Sequence, residues 1–290
     1  MKRLVLIVFI LGFAVYGWSL RNSFMGDDLA QIVNNPVIQS LENIPQLFSG
    51  GTFYRAGFTK LQGGYYRPLP MTVYTMIYAV VGLNPLYYHL IQIIFHLLNV
   101  LLIYLLLAKF TNRFAAYLLS LFYLVHPINV ETVVYIANLQ DVLFVFFGLL
   151  GFLILTGNAL KFKQRLILAV FCLFLSFLSK ETGIVFLPLY WYYLRNKSKS
   201  QLKLFTRLGL LFFGAYLGLR FQAIGFNYHQ STIFPVAKAS LPLRILNIPP
   251  IIWHYFKTLI FPKLRRYFCF FNQLNFGYYK NCGKLLLIFI

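Results

Sequence analysis

The chain has 290 residues, of which 60% are hydrophobic and only 11% charged, with a mean hydropathy of +0.71. A soluble domain carries about 25% charged residues, so this balance excludes one and leaves a polytopic membrane protein. The formal charge of +20 does not indicate nucleic-acid binding, because the 26 Lys and Arg residues are scattered between apolar runs and build no basic domain.

The first element, residues 4–20, follows Lys2 and Arg3, lacks a clear small-x-small cleavage site and has an apolar run long for a signal. It reads as a retained first span rather than a signal peptide. It leads into "SFMGDDLAQIVNNP", where Asp27 and Asp28 stand side by side in a chain with six acids in all. Adjacent side chains point in different directions, so one carboxylate can face a site while the other holds the loop. A partly desolvated carboxylate gains a raised pKa and can act as a general base; the competing role is a helix cap.

Beyond the pair, "NNPVIQSLENIPQLFSG" reads as a turn followed by a short amphipathic helix. "GTFYRAGFTKLQGGYYRPLP" reads as an ordered loop rich in Gly, Tyr and Pro. Arg67, set among aromatics and prolines, is placed to grip a phosphate or carboxylate, or to snorkel to head groups. Residues 70–83 are apolar and read as a re-entrant or interfacial helix. His89 and His96, seven apart on an apolar helix, read as packed residues rather than metal ligands.

Further spans are expected at about 85–108, 114–127, 139–156, 165–180, 182–195, 204–222 and 245–262, each near the length of a membrane helix or short of it. Between two of them, "HPINVETVVYIANLQD" gathers His126, Glu131, Asn138 and Asp141. Glu131 and Asn138 share a face if the segment is helical. "SKETG" sets Lys180 beside Glu181, where the two can neutralise each other or Lys180 can meet an anionic head group. Cys172, Cys269 and Cys282 have no metal-ligand spacing and imply no disulfide framework.

With Lys2 and Arg3 inside and 70–83 kept on the surface, every later basic loop falls on the cytoplasmic side. These loops carry Lys109 and Arg113; Lys161, Lys163 and Arg165; Arg195, Lys197, Lys199 and Lys203; and Lys263, Arg265 and Arg266. The same arrangement puts Asp27, Asp28, Glu42, Glu131, Asp141 and Glu181 all at the extracytoplasmic face, which implies a polar working surface there. The expected location is the plasma (inner) membrane, multi-pass, with a cytoplasmic N-terminus.

The order of these segments resembles the membrane domain of the TMTC-type O-mannosyltransferases and their bacterial relatives, in the GT-C superfamily. The carrying segments are "DD" after the first span, "NNPVI", "YYRPL", "NPLYYHLIQIIFHLLN", "HPINVETVVYIANLQD" and "SKE", over roughly residues 5–195. The resemblance implies an all-α, GT-C-like transmembrane bundle over 1–266 with a long first outer loop at about 21–84. The donor would be a polyprenyl-phosphate-linked sugar and the acceptor a hydroxyl on a protein or glycan. Asp27 or Asp28 would be the base for an inverting attack. Arg67, Lys180 and Arg220 would meet the leaving phosphate, while His126, Glu131 and Asp141 would shape the sugar and acceptor site, with Glu181 in the same group. No cofactor is firmly implied; a divalent cation on Asp27 and Asp28 stays open, although two acids alone make a weak site.

The tail, 267–290, has no acids and no repeat pattern, stays unassigned, and reads as an aberrant, truncated or frameshifted end. Two other readings stand beside the enzyme. One is an inactive truncated relative or non-catalytic membrane subunit, the other a transporter of lipid-linked anions.

Overall fold

The computed structural model describes residues 2–53, 64–225 and 240–260. The tail 267–290 with Cys269 and Cys282, the basic residues Lys263, Arg265 and Arg266, and positions 54–63 of the first loop lie outside the described residues. Every regular element among the described residues is a helix, so the protein is an all-α polytopic membrane protein. The chain divides into two units, Met1–Ser231 and Thr232–Ile290, the second described by the helices Leu241–Leu246 and Ile248–Ile260.

In the first unit, α1 (Lys2–Tyr16) runs on as a 3-10 turn, Gly17–Arg21. The loop that follows holds short turns and α2 (Ile44–Ser49), then α3 (Pro68–Val81). Next come α4 (Pro85–Phe110), α5 (Arg113–Val125), α6 (Asn129–Val134), α7 (Leu139–Thr156), α8 (Phe162–Ser179), α9 (Phe186–Arg195) and α10 (Lys199–Ile224). Helix starts follow local chemistry: Asn84 and Asn112 accept the backbone N–H groups of Leu86 and Ala115, and Pro85 occupies the first turn of α4.

Five helices among the described residues are long and apolar enough to cross a membrane: Arg3–Arg21, Pro85–Phe110, Ile136–Thr156, Phe162–Ser179 and Lys199–Ile224. The spans expected at 114–127, 182–195 and 245–262 are already short in the sequence, and their helices are shorter still among the described residues. The helices found there have 13, 10 and 13 residues. At 1.5 Å per residue they reach only about 15–20 Å, against a hydrocarbon core of about 30 Å. The cap at Asn112 and the extended His126 before Pro127 bound α5, and a 3-10 turn over Glu181–Val185 takes the first residues expected for α9.

Cross-helix contacts fix the directions. Gln92 and Asn99 of α4 donate to the carbonyls of Tyr135 and Val142, and Lys109 to Thr156, so α4 and α7 run parallel. Ser176 donates to the Phe144 carbonyl and Lys180 reaches Asp141, so α8 returns antiparallel to α7. Tyr190 donates to the Gly148 carbonyl, and Phe177 packs on Tyr216, placing α9 along α7 and α10 along α8. A membrane interior gives apolar side chains little reason to leave lipid for protein. Close packing and interhelical hydrogen bonds of this kind therefore hold the helices together, at about 0.6 kcal/mol per bond.

The directions gather all six acids at one end of the bundle, with Arg3, Lys109, Arg113, Lys161, Lys163, Arg165, Arg195, Lys197, Lys199 and Lys203 at the other. At the acidic end lies α3, an apolar helix of 14 residues. Tyr74, midway along it, donates to the Ile136 carbonyl, and Tyr88 in the first turn of α4 donates to the Gly82 carbonyl just beyond α3. Its buried face joins Ile32, Val37, Ile38, Leu139 and Leu143 in one apolar cluster, which seats the first loop on the start of α7.

Candidate active site

The adjacent acids are put to different uses. Asp28 is 1% exposed, and its Oδ2 and Oδ1 accept the backbone N–H groups of Met25 (3.1 Å) and Ala137 (2.7 Å). It therefore ties the first loop to the segment that opens α7, across 109 residues of sequence. Asp27 is half-buried, and among the described residues its carboxylate accepts no hydrogen bond; its backbone N–H donates to the Tyr135 hydroxyl at 2.6 Å. Gly26 makes this approach feasible. It has φ +54°, a left-handed conformation costly for other residues, and a side chain there would start 2.7 Å from the Tyr135 hydroxyl.

Burial raises the Asp27 carboxyl above its usual range. Burial pushes Asp28 up to about 7, opposed by the N–H groups of Met25 and Ala137 and helped by the charge of Asp27. Burial also raises the Tyr135 phenol.

One turn beyond Ala137, Asp141 lies in the first turn of α7 and pairs with Lys180 at 2.5 Å. Both placements suit the helix dipoles, an acid at the start of α7 and a cation capping the end of α8. Sequence adjacency suggested that Lys180 neutralises Glu181; the fold instead gives Lys180 to Asp141 and Glu181 to two arginines. Arg67 Nε reaches Glu181 Oε2 at 3.1 Å, and Arg220 reaches Oε1 at 2.8 Å. Arg67 also stacks on Tyr65, 4.4 Å from the ring centre, and Arg220 donates to the Gly64 carbonyl and the Tyr216 hydroxyl. Burial works to raise the Glu181 carboxyl, but the charge of Arg67, its own backbone N–H and the hydrogen bonds from both arginines outweigh it and hold it below its usual range.

Asp27, Asp28, Asp141, Lys180, Glu181, Arg67 and Arg220 thus form one arc, linked by hydrogen bonds and short chain steps around the start of α7. Glu131 is exposed on α6, near enough to Tyr135 to be felt as charge, and the Asn138 amide reaches the Glu131 carbonyl at 3.4 Å. These two do meet, although the segment breaks between α6 and a 3-10 turn instead of running as one helix. His126 ends α5, buried; its Nδ1 accepts the Ile128 N–H and its ring meets Phe122 edge-on.

Among the described residues no three His, Cys, Asp or Glu side chains come together as a metal-ion set. Each Asp28 oxygen accepts one backbone N–H group, and the Asp27 carboxylate accepts none among the described residues. Tyr135, Gly26 and Tyr216 are site neighbours that sequence reasoning missed. The one available signal was Gly26 directly before two acids, a position where a left-handed turn is cheap.

The fold and the arc together define a polytopic helical membrane protein with acids and paired cations gathered at one end. A family model for dolichyl-phosphate-mannose-protein mannosyltransferases matches residues 67–219, and the chain belongs to that family. It is 33% identical over 141 residues to Protein O-mannosyl-transferase TMTC1 of Mus musculus, covering 48% of this chain and 15% of that protein. It is 30% identical over 191 residues to Protein O-mannosyl-transferase F38B6.6 of Caenorhabditis elegans, covering 64% of this chain and 27% of the relative. Against human Protein O-mannosyl-transferase TMTC3 the identity is 30% over 190 residues, 63% of this chain and 20% of the relative. The matches therefore span about a quarter or less of these relatives' length. No solved structure matches the chain significantly.

Proposed function

We propose that this protein transfers a mannosyl residue from a polyprenyl-phosphate carrier to a hydroxyl group of an acceptor protein, at the acidic end of the bundle, on the extracytoplasmic face. The split of the acid pair carries the reading: Asp28 holds the fold, and Asp27 has a raised pKa and a carboxylate that accepts no hydrogen bond among the described residues. Family membership supplies the reaction class.

In this reading the acceptor oxygen attacks the anomeric carbon and the acceptor proton passes to Asp27. The bond from the anomeric carbon to the phosphate oxygen breaks, and the phosphate keeps the electron pair. Fixed cations stabilise that leaving charge because they are oriented before the reaction begins. Arg67 and Arg220 supply them, with Lys180 beside them on Asp141. Asp141, Glu181, Glu131 and His126 then border the sugar and acceptor. The lipid tail of the donor explains why such a site stands at the end of a membrane bundle.

The test is transfer of labelled mannose by the purified chain in detergent, from polyprenyl-phosphate mannose or from a nucleotide-linked mannose, into the protein fraction of its host. Label from the lipid-linked donor alone supports the reading. Label from the nucleotide-linked donor alone, or none from either with a well-folded chain, refutes it.

A further inference from the structure

The opposite end of the bundle carries a second polar feature, which the proposed reaction does not use. Where α4 ends, α7 turns into α8, and α9 turns into α10, two adjoining clefts of about 160 and 440 Å³ share Asn158, Tyr193 and Lys197 as lining. Lys109 lines one and Arg165 the other. Three cations from three separate connections therefore converge on one hollow, with no acid at this end of the bundle among the described residues.

Cytoplasmic loops are commonly basic, but loop charge spread for topology has no need of a hollow. Here each cation has a hydroxyl or ring beside it, with Lys109 and Lys197 exposed and Arg165 half-buried. Lys109 Nζ is fixed by the Thr156 hydroxyl at 3.0 Å, Lys197 lies over the Tyr193 ring and Arg165 over Phe162. Arg165 lines the first cleft, and its Nη1 donates to the Leu155 carbonyl at 3.5 Å. The aromatic rings give the hollow an apolar wall beside its charge. A phosphate group attached to an apolar body fits that combination.

We propose that this hollow is a binding site for the phosphate head group of an anionic membrane phospholipid, held by Lys109, Arg165 and Lys197. Each basic residue near an anionic membrane surface contributes about 1 kcal/mol, about fivefold in binding, so removing all three should cost about 100-fold.

The experiment is native mass spectrometry of the full chain in detergent, titrated with phosphatidylglycerol or phosphatidylcholine. The variants are Lys109→Gln/Arg165→Gln/Lys197→Gln and, as a control of equal charge change at the same end, Lys161→Gln/Lys163→Gln/Lys199→Gln. The expected result is preferential binding of phosphatidylglycerol, retained by the control and lost by the first triple. Equal binding of both lipids, or equal loss in both triples, would overturn the site. A third arm adds millimolar inorganic phosphate. Failure to displace the lipid supports a lipid site, and full displacement would reassign the hollow to soluble phosphate.

Discussion

At the scale of single residues, the division of labour between Asp27 and Asp28 makes separable predictions. Asp28→Asn keeps the shape but turns an NH2 group toward either the Met25 or the Ala137 N–H, both of which need an acceptor. A buried donor left unmatched costs about 1–3 kcal/mol, so thermal unfolding of this variant in detergent should begin well below that of the parent. The pH dependence follows from the same group. Asp28 binds its proton more tightly folded than unfolded, since its folded pKa of about 7 stands above the ordinary value of 3.8. Its contribution to stability is therefore greatest below the ordinary value and is lost as pH rises toward 7. The difference between parent and Asp28→Asn melting profiles should change over that window; a constant difference would contradict the burial argument.

Asp27 acts in the reaction only when ionised, and its folded pKa is raised. Transfer should accordingly fall as pH drops through an apparent pKa above the usual Asp range. On the far side of the arc, Arg67 is held both by Glu181 and by the Tyr65 ring. A lysine cannot reproduce a planar, stacked contact, so Arg67→Lys should raise the KM for the lipid-linked donor without lowering abundance. An unchanged KM with falling abundance would make Arg67 a structural residue. None of these pairings was legible in the sequence beyond the candidates themselves. Asp28 meets Ala137 across 109 positions, and Lys180 passes over its neighbour Glu181 for Asp141, which only helix packing decides.

At the scale of elements, α7 is the helix on which the others are hung, and its glycines show why. A Cβ on Gly151 would lie 2.8 Å from Cys172 Cβ and 2.9 Å from the Ala169 carbonyl of α8, and one on Gly148 would enter the Phe186 ring of α9. Gly214 and Gly218 of α10 have nothing within 4 Å. Gly151→Ala should therefore cost about 1–3 kcal/mol by overpacking, whereas Gly214→Ala should be neutral or slightly stabilising. Melting temperatures of the two variants in one detergent test this, and equal effects would contradict the close approach of α7 and α8. The long apolar runs of α4, α7 and α8 were readable because unbroken length is itself the signal. The lengths of α5 and α9 were not. The Asn112 cap, the extended His126 and the 3-10 turn at Glu181 shorten them while hydropathy continues through.

At the scale of the whole molecule, the described charges of the first unit are sorted by end, with the acids toward the start of α7 and the basic loops opposite. This sorting came from the sequence, where the positive-inside rule placed the basic loops and the acids followed without being counted. It predicts that, with native cysteines replaced by serine, a membrane-impermeant thiol reagent on intact cells labels Gln39→Cys at the acidic end and spares Ser200→Cys at the basic end. The reverse pattern would put the site on the cytoplasmic face. The central claim, that Asp27 works while Asp28 holds, is tested most directly by measuring mannosyl transfer and thermal stability together for Asp27→Asn. The variant should melt as the parent does and lose transfer by a factor of about 100 or more, the usual contribution of a general base. A variant that melts normally and still transfers at the parental rate would contradict it.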